Sequence, residues 1–212
     1  MPPVSTTPAD RGAQRRERTR EAALVAAEQL LGERTPAEIR IEDVAALAGL
    51  SPGSIYGHFK TKDGLIAATT DRLLSQAAEA LRVASATGAT PLERFQNSGV
   101  AYLRLLLDHP AVIKYLALTG ERAPETDEER DAHARIIQLR VDFEAVIRDA
   151  VQAGGVRHVD PRLMSYFLFG AWNGVAALAL RRDGLGLSRA EIEAAVLQAG
   201  LMLTGGVAGP PA

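Results

Sequence analysis

The 212-residue chain has no cysteine, which excludes disulfides, thiolate catalysis and cysteine-ligated zinc or iron–sulfur sites. Aromatic residues make up only 5% of it. With alanine abundant, that scarcity favours closely packed helices over sheets. There is no excess of positive charge either. Lys and Arg total 24 against 26 Asp and Glu, a formal net charge of −2, so any binding to nucleic acid must rest on a local basic patch. Residues 1–21 contain no apolar core segment of the kind a signal peptide needs. No uncharged run reaches the roughly 18 apolar residues that span a bilayer. Leu163–Leu180 comes closest, but Trp172-Asn173-Gly174 and other small or polar positions make it read as a buried helix. A cytoplasmic chain with no membrane partner is expected.

Signatures of catalysis are missing too. There is no P-loop and no H-E-x-x-H, and Gly184-Leu185-Gly186 follows no strand, so it is not a dinucleotide fingerprint. Asp127, Glu128, Glu129, Asp131 and His133 occupy near-consecutive positions of one helix and cannot all converge on one ion; they read as a solvated face. The expectation is a protein that is not an enzyme, with no catalytic residues, no metal and no cofactor.

What is present is helical periodicity. No strand-like alternation lasts more than a few residues, so the fold class is all-α with about nine helices. Residues 1–10 are Pro/Thr-rich and expected to be a disordered tail. Arg11–Arg20 carries five arginines and leads into a helix whose stripe is Arg20, Ala23, Leu24, Ala27, Leu30 and Leu31. Thr35-Pro36 stops it. Ile41, Val44, Ala45 and Ala48 mark a short second helix ended by Gly49. Ser51-Pro52 opens a third, with serine as N-cap and proline in the first turn. Thr61 caps a fourth, running to about residue 84. Ser85–Thr90 breaks the pattern. Helical segments Pro91–Asp108, Pro110–Leu118, Thr126–Ala153, Pro161–Arg182 and Ser188–Thr204 follow, and GGVAGPPA reads as a frayed end. The expected organisation is a tail at 1–10, a helix-turn-helix domain at 11–62, a linking helix at 63–84 and a larger helical domain at 85–206.

Ala45, Gly49 and Ile55 carry the spacing of a helix-turn-helix. A small residue at 45 lets two short helices cross closely, Gly49 supplies a positive-φ turn, and Ile55 with Phe59 pins the second helix to the core. An ordinary helical hairpin is the plainer alternative. Between the packing residues lie Ser51, Ser54, Tyr56, His58, Lys60 and Lys62, groups suited to phosphate oxygens. The N-termini of the third and fourth helices add free N–H groups.

The strings TREAALVAAEQLL and IRIEDVAALAGLSPGSIYGHFKTKDGLI resemble the TetR (tetracycline-repressor) family of bacterial one-component regulators. The specific match covers about residues 19–74, and the remainder matches only in architecture. The resemblance implies a DNA-binding domain followed by a helical domain that binds a small molecule and dimerises through its last two helices. It places Ser54, Tyr56, His58 and Lys62 at positions that usually meet DNA. With the arginine run and the helix termini, the candidate DNA-binding set is Arg16, Thr19, Arg20, Arg40, Ser51, Gly53, Ser54, Tyr56, His58, Lys60 and Lys62. The chain departs from the family pattern at Arg40-Ile41, where a Thr-Thr pair is common. It also departs at Gly57, where a larger side chain often faces the groove. Pro52, Gly53 and Gly57 leave little for bidentate base contacts, so specificity is expected from DNA shape, His58 and the arginine-rich arm.

In the second half, Pro161–Arg182 is apolar on more than one face, which predicts burial on several sides. Leu163, Phe167, Gly170, Gly174 and Leu178, with Ile192, Val196, Ala199 and Leu203 on the last helix, form the candidate homodimer interface. Candidate pocket residues are Phe95, Tyr102, Leu106, His109, Phe143, Phe169, Trp172 and Asn173, for each of which ordinary core packing is the alternative. This mostly apolar set predicts a hydrophobic or amphipathic effector. The full expectation is a regulator released from a pseudo-palindromic double-stranded operator by a small molecule, with a helical scaffold that binds no DNA as the other reading.

Overall fold

The structure, a computed structural model, describes residues 8–118 and 123–204. Among these residues it is all-α, with nine helices and no strand. The helices are α1 (Pro8–Glu33), α2 (Ile41–Ala48), α3 (Pro52–Phe59), α4 (Lys62–Ala86), α5 (Pro91–Asp108), α6 (Pro110–Leu118), α7 (Asp127–Gln152), α8 (Pro161–Ala177) and α9 (Arg189–Thr204). Single 3-10 turns occupy Pro36–Glu38 and Leu178–Leu180. Of the expected break between Leu118 and Thr126, residues 119–122 lie outside the described residues, as do the GGVAGPPA end and residues 1–7.

Local chemistry sets many of the boundaries. Four polar-Pro pairs each open a helix: Thr35-Pro36, Ser51-Pro52, Thr90-Pro91 and Asp160-Pro161. At the last three the side-chain oxygen accepts from the backbone N–H three residues on, at 2.9–3.2 Å. Proline costs nothing there because its missing N–H would have had no helical partner. Thr35-Pro36 therefore does more than stop α1; it starts a 3-10 turn closed by Glu38, whose carboxylate accepts from the Thr35 N–H at 2.8 Å.

Two expectations are corrected. Residues 8–10 belong to α1 rather than to a disordered tail; Pro8 suits a first turn, and Asp10 meets the positive end of the helix dipole. The Pro161–Arg182 helix stops at Ala177 and tightens to a 3-10 turn. The following loop folds back on this end, with the Leu187 N–H donating to Leu178 O at 3.2 Å. Gly186 sits so close that a Cβ there would lie 2.7 Å from Arg181 O.

The chain divides into two compact units, one of residues 1–72 with 123–132, the other of 73–122 with 133–212. The division falls inside α4, between Arg72 and Leu73, and α7 is divided likewise. In the first unit the α1 stripe Ala23, Leu24, Ala27 and Leu31 is buried with Val44, Ala45, Ile55, Phe59 and Leu65. Each large side chain there contributes about 1.5–3 kcal/mol of burial. Arg72 fastens α4 to α1, donating to Glu21 at 2.9 Å and Glu28 at 2.8 Å. In the second unit α5, α6, α8 and α9 pack together around Leu103, Leu106, Val112, Ala176 and Ile192.

Candidate nucleic-acid interface and ligand cavity

Gly49 takes φ 66°, ψ 35° at the end of α2, where its N–H and that of Leu50 close the helix onto Ala46 O and Ala45 O. A Cβ at Gly49 would meet nothing within 4 Å, so the turn needs glycine for its backbone angle and not for space. The chain then enters α3, which buries Ile55 and Phe59 and turns its remaining side chains outward.

That outward set is the candidate interface. Ser51 Oγ accepts from the Ser54 N–H at 3.2 Å, leaving its own proton for an outside acceptor. Tyr56 is exposed and Ser54 and His58 are half-buried. Lys60 is exposed at φ 62°, a backbone region uncommon for residues with a Cβ and frequent at functional sites. His58 is held below the usual histidine range, first by desolvation and then by the guanidinium charges of Arg16 and Arg20, with Lys60 adding to them. A local basic patch thus exists on a chain of net negative charge. Gly53 and Gly57 are exposed, and Gly57 has open space around its missing Cβ; this side of α3 is bare.

The other members of the set are tied down in varying degrees. Arg20 lies over the Phe59 ring at 5.5 Å and Thr19 Oγ1 donates to Arg15 O at 3.0 Å. Arg16 is exposed. Arg40 is exposed and makes no ion pair among the described residues. Lys62 differs from its expected role. Its ammonium donates to Pro36 O at 3.1 Å and Ala37 O at 3.4 Å, so two of its three protons hold the 3-10 turn to the start of α4. Gly49-Leu50-Ser51-Pro52-Gly53 spells the G-x-S-x-G pattern of hydrolase nucleophile elbows, a signature that the sequence reading counted as missing. No strand leads into it and Ser51 serves as an N-cap, so the structural context of a nucleophile is missing. Of the acidic run, Glu129 closes the α7 capping box with Thr126 and Asp127 pairs with Arg130. No metal-holding group occurs among the described residues.

In the second unit a partly open cavity of about 680 Å³ is lined by faces of α4, α5, α7 and α8 with Leu116 of α6. Tyr102, Phe143, Phe169 and Trp172 line it as expected. Phe143 and Trp172 meet at 5.1 Å between ring centroids, and Tyr102 lies 5.9 Å from Trp172. The Tyr102 hydroxyl is pushed well above the usual phenol range by burial, so it stays a donor. Trp172 fits because residue 99 is glycine: a Cβ there would stand 2.8 Å from the indole.

Four expected pocket residues are not in the lining. Phe95 stacks behind Phe143 at 5.8 Å. Leu106 is fully buried in the core, and His109 sits at the end of α5. Asn173 stands behind Tyr102, donating to its oxygen at 3.1 Å and to Phe169 O at 2.7 Å. The sequence reading missed the α4 face of Leu74, Ala78, Leu81, Arg82 and Ser85 and the α7 face of Ile136, Leu139 and Arg140. The lining is also more polar than expected, with serines and three arginines.

Comparison with known proteins decides what this pair of sites belongs to. The family described as "Bacterial regulatory proteins, tetR family" matches residues 23–69, and "Tetracyclin repressor-like, C-terminal domain" matches residues 88–177. The chain belongs to the TetR family. The family is one of DNA-binding transcriptional regulators rather than enzymes. A Mycobacterium tuberculosis protein described as HTH-type transcriptional regulator MT1294 is 31% identical over 107 residues. That match covers 50% of this chain and 53% of the relative, so the chain spans about half the length of that relative. Among solved structures, the ketosteroid transcriptional regulator KstR2 of Mycobacterium tuberculosis superposes with a TM-score of 0.68 at 22% identity, covering 87% of this chain and 94% of KstR2. AibR, solved with isovaleryl coenzyme A and operator DNA, superposes with 0.67 at 20% identity over 88% and 98%. These two likenesses show a shared fold.

In this TetR-family chain α8 is amphipathic, not buried all round. Ser165, Leu168, Trp172 and Ala176 face inward, while Leu163 is 63% and Phe167 64% exposed. Gly170 and Gly174 are exposed with nothing near their missing Cβ atoms. By length and composition Pro161–Leu180 could cross a membrane, with 22% of that window buried. On α9 the expected stripe is rotated. Ile192 is fully buried within its own chain, because that face packs on α5 and α8, so it cannot belong to an outer interface. Val196 and Leu178 are half-buried, Ala199 is exposed, and the Leu203 side chain lies outside the described residues. The exposed apolar groups on α9 are Leu197 and Leu201, one turn apart, and Met202.

Proposed function

We propose that the chain is a ligand-responsive repressor, acting as a homodimer on a pseudo-palindromic operator and released by a hydrophobic or amphipathic small molecule. The observation that carries this reading is α4. One continuous helix is fastened to α1 through Arg72 and, further on, contributes Leu74, Ala78, Leu81 and Arg82 to the cavity wall. A ligand that shifts this wall also shifts the helix that α3 leads into. Its differential affinity for the two arrangements sets how far DNA binding falls, with reciprocal loss of ligand affinity on DNA.

The dimer reading is supported by the stripe Leu163, Phe167, Gly170 and Gly174 on α8 and by Leu197 and Leu201 on α9. A contiguous exposed apolar surface of this kind marks an interaction site, and glycines let helices approach closely. A two-fold axis would set two copies of α3 about 34 Å apart, one turn of DNA. The bare α3 surface supports a positioning role for Ser51, Ser54, Tyr56, Lys60 and Arg40. Sequence discrimination falls to DNA shape, His58 and the Arg11–Arg20 arm. A DNA partner also implies a cytoplasmic location.

Footprinting on the DNA upstream of its own coding region should give a protected pseudo-palindrome whose affinity falls steeply with salt. No specific protection would favour a helical scaffold instead. In vitro selection should yield a low-information motif that weakens when residues 1–17 are removed; a long motif that survives the deletion would contradict the shape-reading assignment.

A further inference from the structure

Arg140 is one of three arginines in the cavity lining. It lies on the α7 face between Ile136 and Phe143, lining the cavity, with its side chain only 12% exposed. One nitrogen, Nη1, makes both of its hydrogen bonds, to Glu144 Oε2 at 3.0 Å and Ser165 Oγ at 2.7 Å. The guanidinium lies over the Tyr166 ring at 4.3 Å. Fully buried Ser165 is itself anchored, donating to Arg162 O at 2.7 Å. The group is thus fixed in plane and in rotation. Nε and Nη2 make no hydrogen bond to any described residue, and among the described residues no fully buried side-chain nitrogen lacks a partner. Those two donors are therefore not completely buried.

Charge is incompletely balanced at the same place. Glu144 accepts from Arg140 and, through Oε1, from Arg148 at 2.9 Å. One carboxylate serves two guanidinium groups. Arg162 adds a third cation 5.7 Å from the same Tyr166 ring. A largely buried cation sharing its counter-ion is costly to desolvate, and an entering anion offsets that cost.

We propose that the effector is an apolar molecule ending in a carboxylate, which the Nε–Nη2 edge of Arg140 accepts while the apolar body lies against Phe143, Phe169 and Trp172. This rests on the reading of the cavity as the effector site. The planar fork matches a carboxylate's two oxygens. A single surplus charge, with Glu79 and Asp142 also in the lining, suits a monoanion and disfavours a phosphate dianion. The cavity volume falls among those of small-molecule sites, about 300–1,000 Å³.

Trp172 is the only tryptophan in the chain, so its fluorescence reports occupancy without any DNA. Dodecanoic acid, its methyl ester, dodecanol and dodecyl phosphate are titrated against the full-length wild type, Arg140→Gln and Arg140→Lys. The acid should bind about tenfold or more tightly than the ester, as a charge-assisted pair requires. Arg140→Gln should erase that preference while leaving ester affinity within about twofold, and Arg140→Lys, which keeps charge but loses the fork, should keep part of it. Should Arg140→Gln fail to fold, the wild-type acid-to-ester ratio and Arg140→Lys still decide. Equal binding of acid and ester, a preference that survives in Arg140→Gln, or tighter binding of dodecyl phosphate overturns the proposal and leaves the effector-site reading standing. Failure of all four probes to bind overturns both.

Discussion

The two units bury their aromatic residues to different ends. In the first, Phe59 has no exposed surface and is fixed between the helix-turn-helix core and Arg20, with Ile55 and Leu65 also closed off. In the second, Tyr102, Phe143, Phe169 and Trp172 meet one another yet still border about 680 Å³ of open volume. Packing to native density rigidifies the surface that α3 carries, which on the proposed function meets a fixed phosphate spacing. A lining that leaves space can change shape when that space fills. The same helical alphabet thus gives one part packed solid and another that keeps space between its helices.

The sharpest break of this comparison is Phe59→Ala, expected to cost about 3–5 kcal/mol and to abolish specific DNA binding. Ligand titration at Trp172 should survive it. Simultaneous loss of both would show that the units do not hold separately. Gly99→Ala is the converse. Its Cβ, 2.8 Å from the indole, forces Trp172 to shift, at about 1–3 kcal/mol. The emission maximum and ligand affinity should change while DNA affinity without ligand stays the same.

Glycines within the first unit sharpen the contrast further. At Gly64 a Cβ would stand 2.4 Å from Phe59 O, a backbone atom that cannot step aside. Gly64→Ala should lower Tm by several degrees, about 1–3 kcal/mol. Gly57→Ala meets nothing and should raise helix stability by about 0.5–1 kcal/mol, so a thermal melt of both variants separates a packing glycine from a bare-surface one.

The smallest expected effect is titration of His58. Burial and the neighbouring Arg16 and Arg20 hold its pKa below 6.5 in the folded chain, so the unfolded chain takes up the proton first. Stability should fall slightly as pH drops through 6.5 toward the folded value. A phosphate beside the imidazole favours the charged form, so DNA affinity should rise over the same window. The rise should stay below the limit of about tenfold per pH unit for one proton, and His58→Gln should flatten it in a fluorescence-anisotropy titration.

Much of the DNA-binding unit was legible before any coordinates. Ser51-Pro52, Gly49 and Thr61 act on atoms at most a few residues away, and each serves as expected: an N-cap, a positive-φ turn, and a cap whose Oγ1 accepts the Gly64 N–H at 2.8 Å. Lys62 was legible as a cation but not as a staple, since its acceptors Pro36 and Ala37 lie more than twenty positions away. In the second unit, Tyr102 and Asn173 were both marked as pocket residues, but only their pairing shows which faces the cavity and which stands behind it.

By itself the sequence determined the helical class, the helix starts, the helix-turn-helix and the family, because caps, turn angles and apolar periodicity act within one element. Tertiary structure alone decided that Ile192 turns inward while Leu197 and Leu201 turn out. It also decided that Gly64 and Gly99 are close approaches and that Arg140 lines a cavity while making its hydrogen bonds through Nη1. Periodicity shows that a helix has an apolar face. Which neighbour covers that face, and whether space is left between them, depends on how distant helices cross.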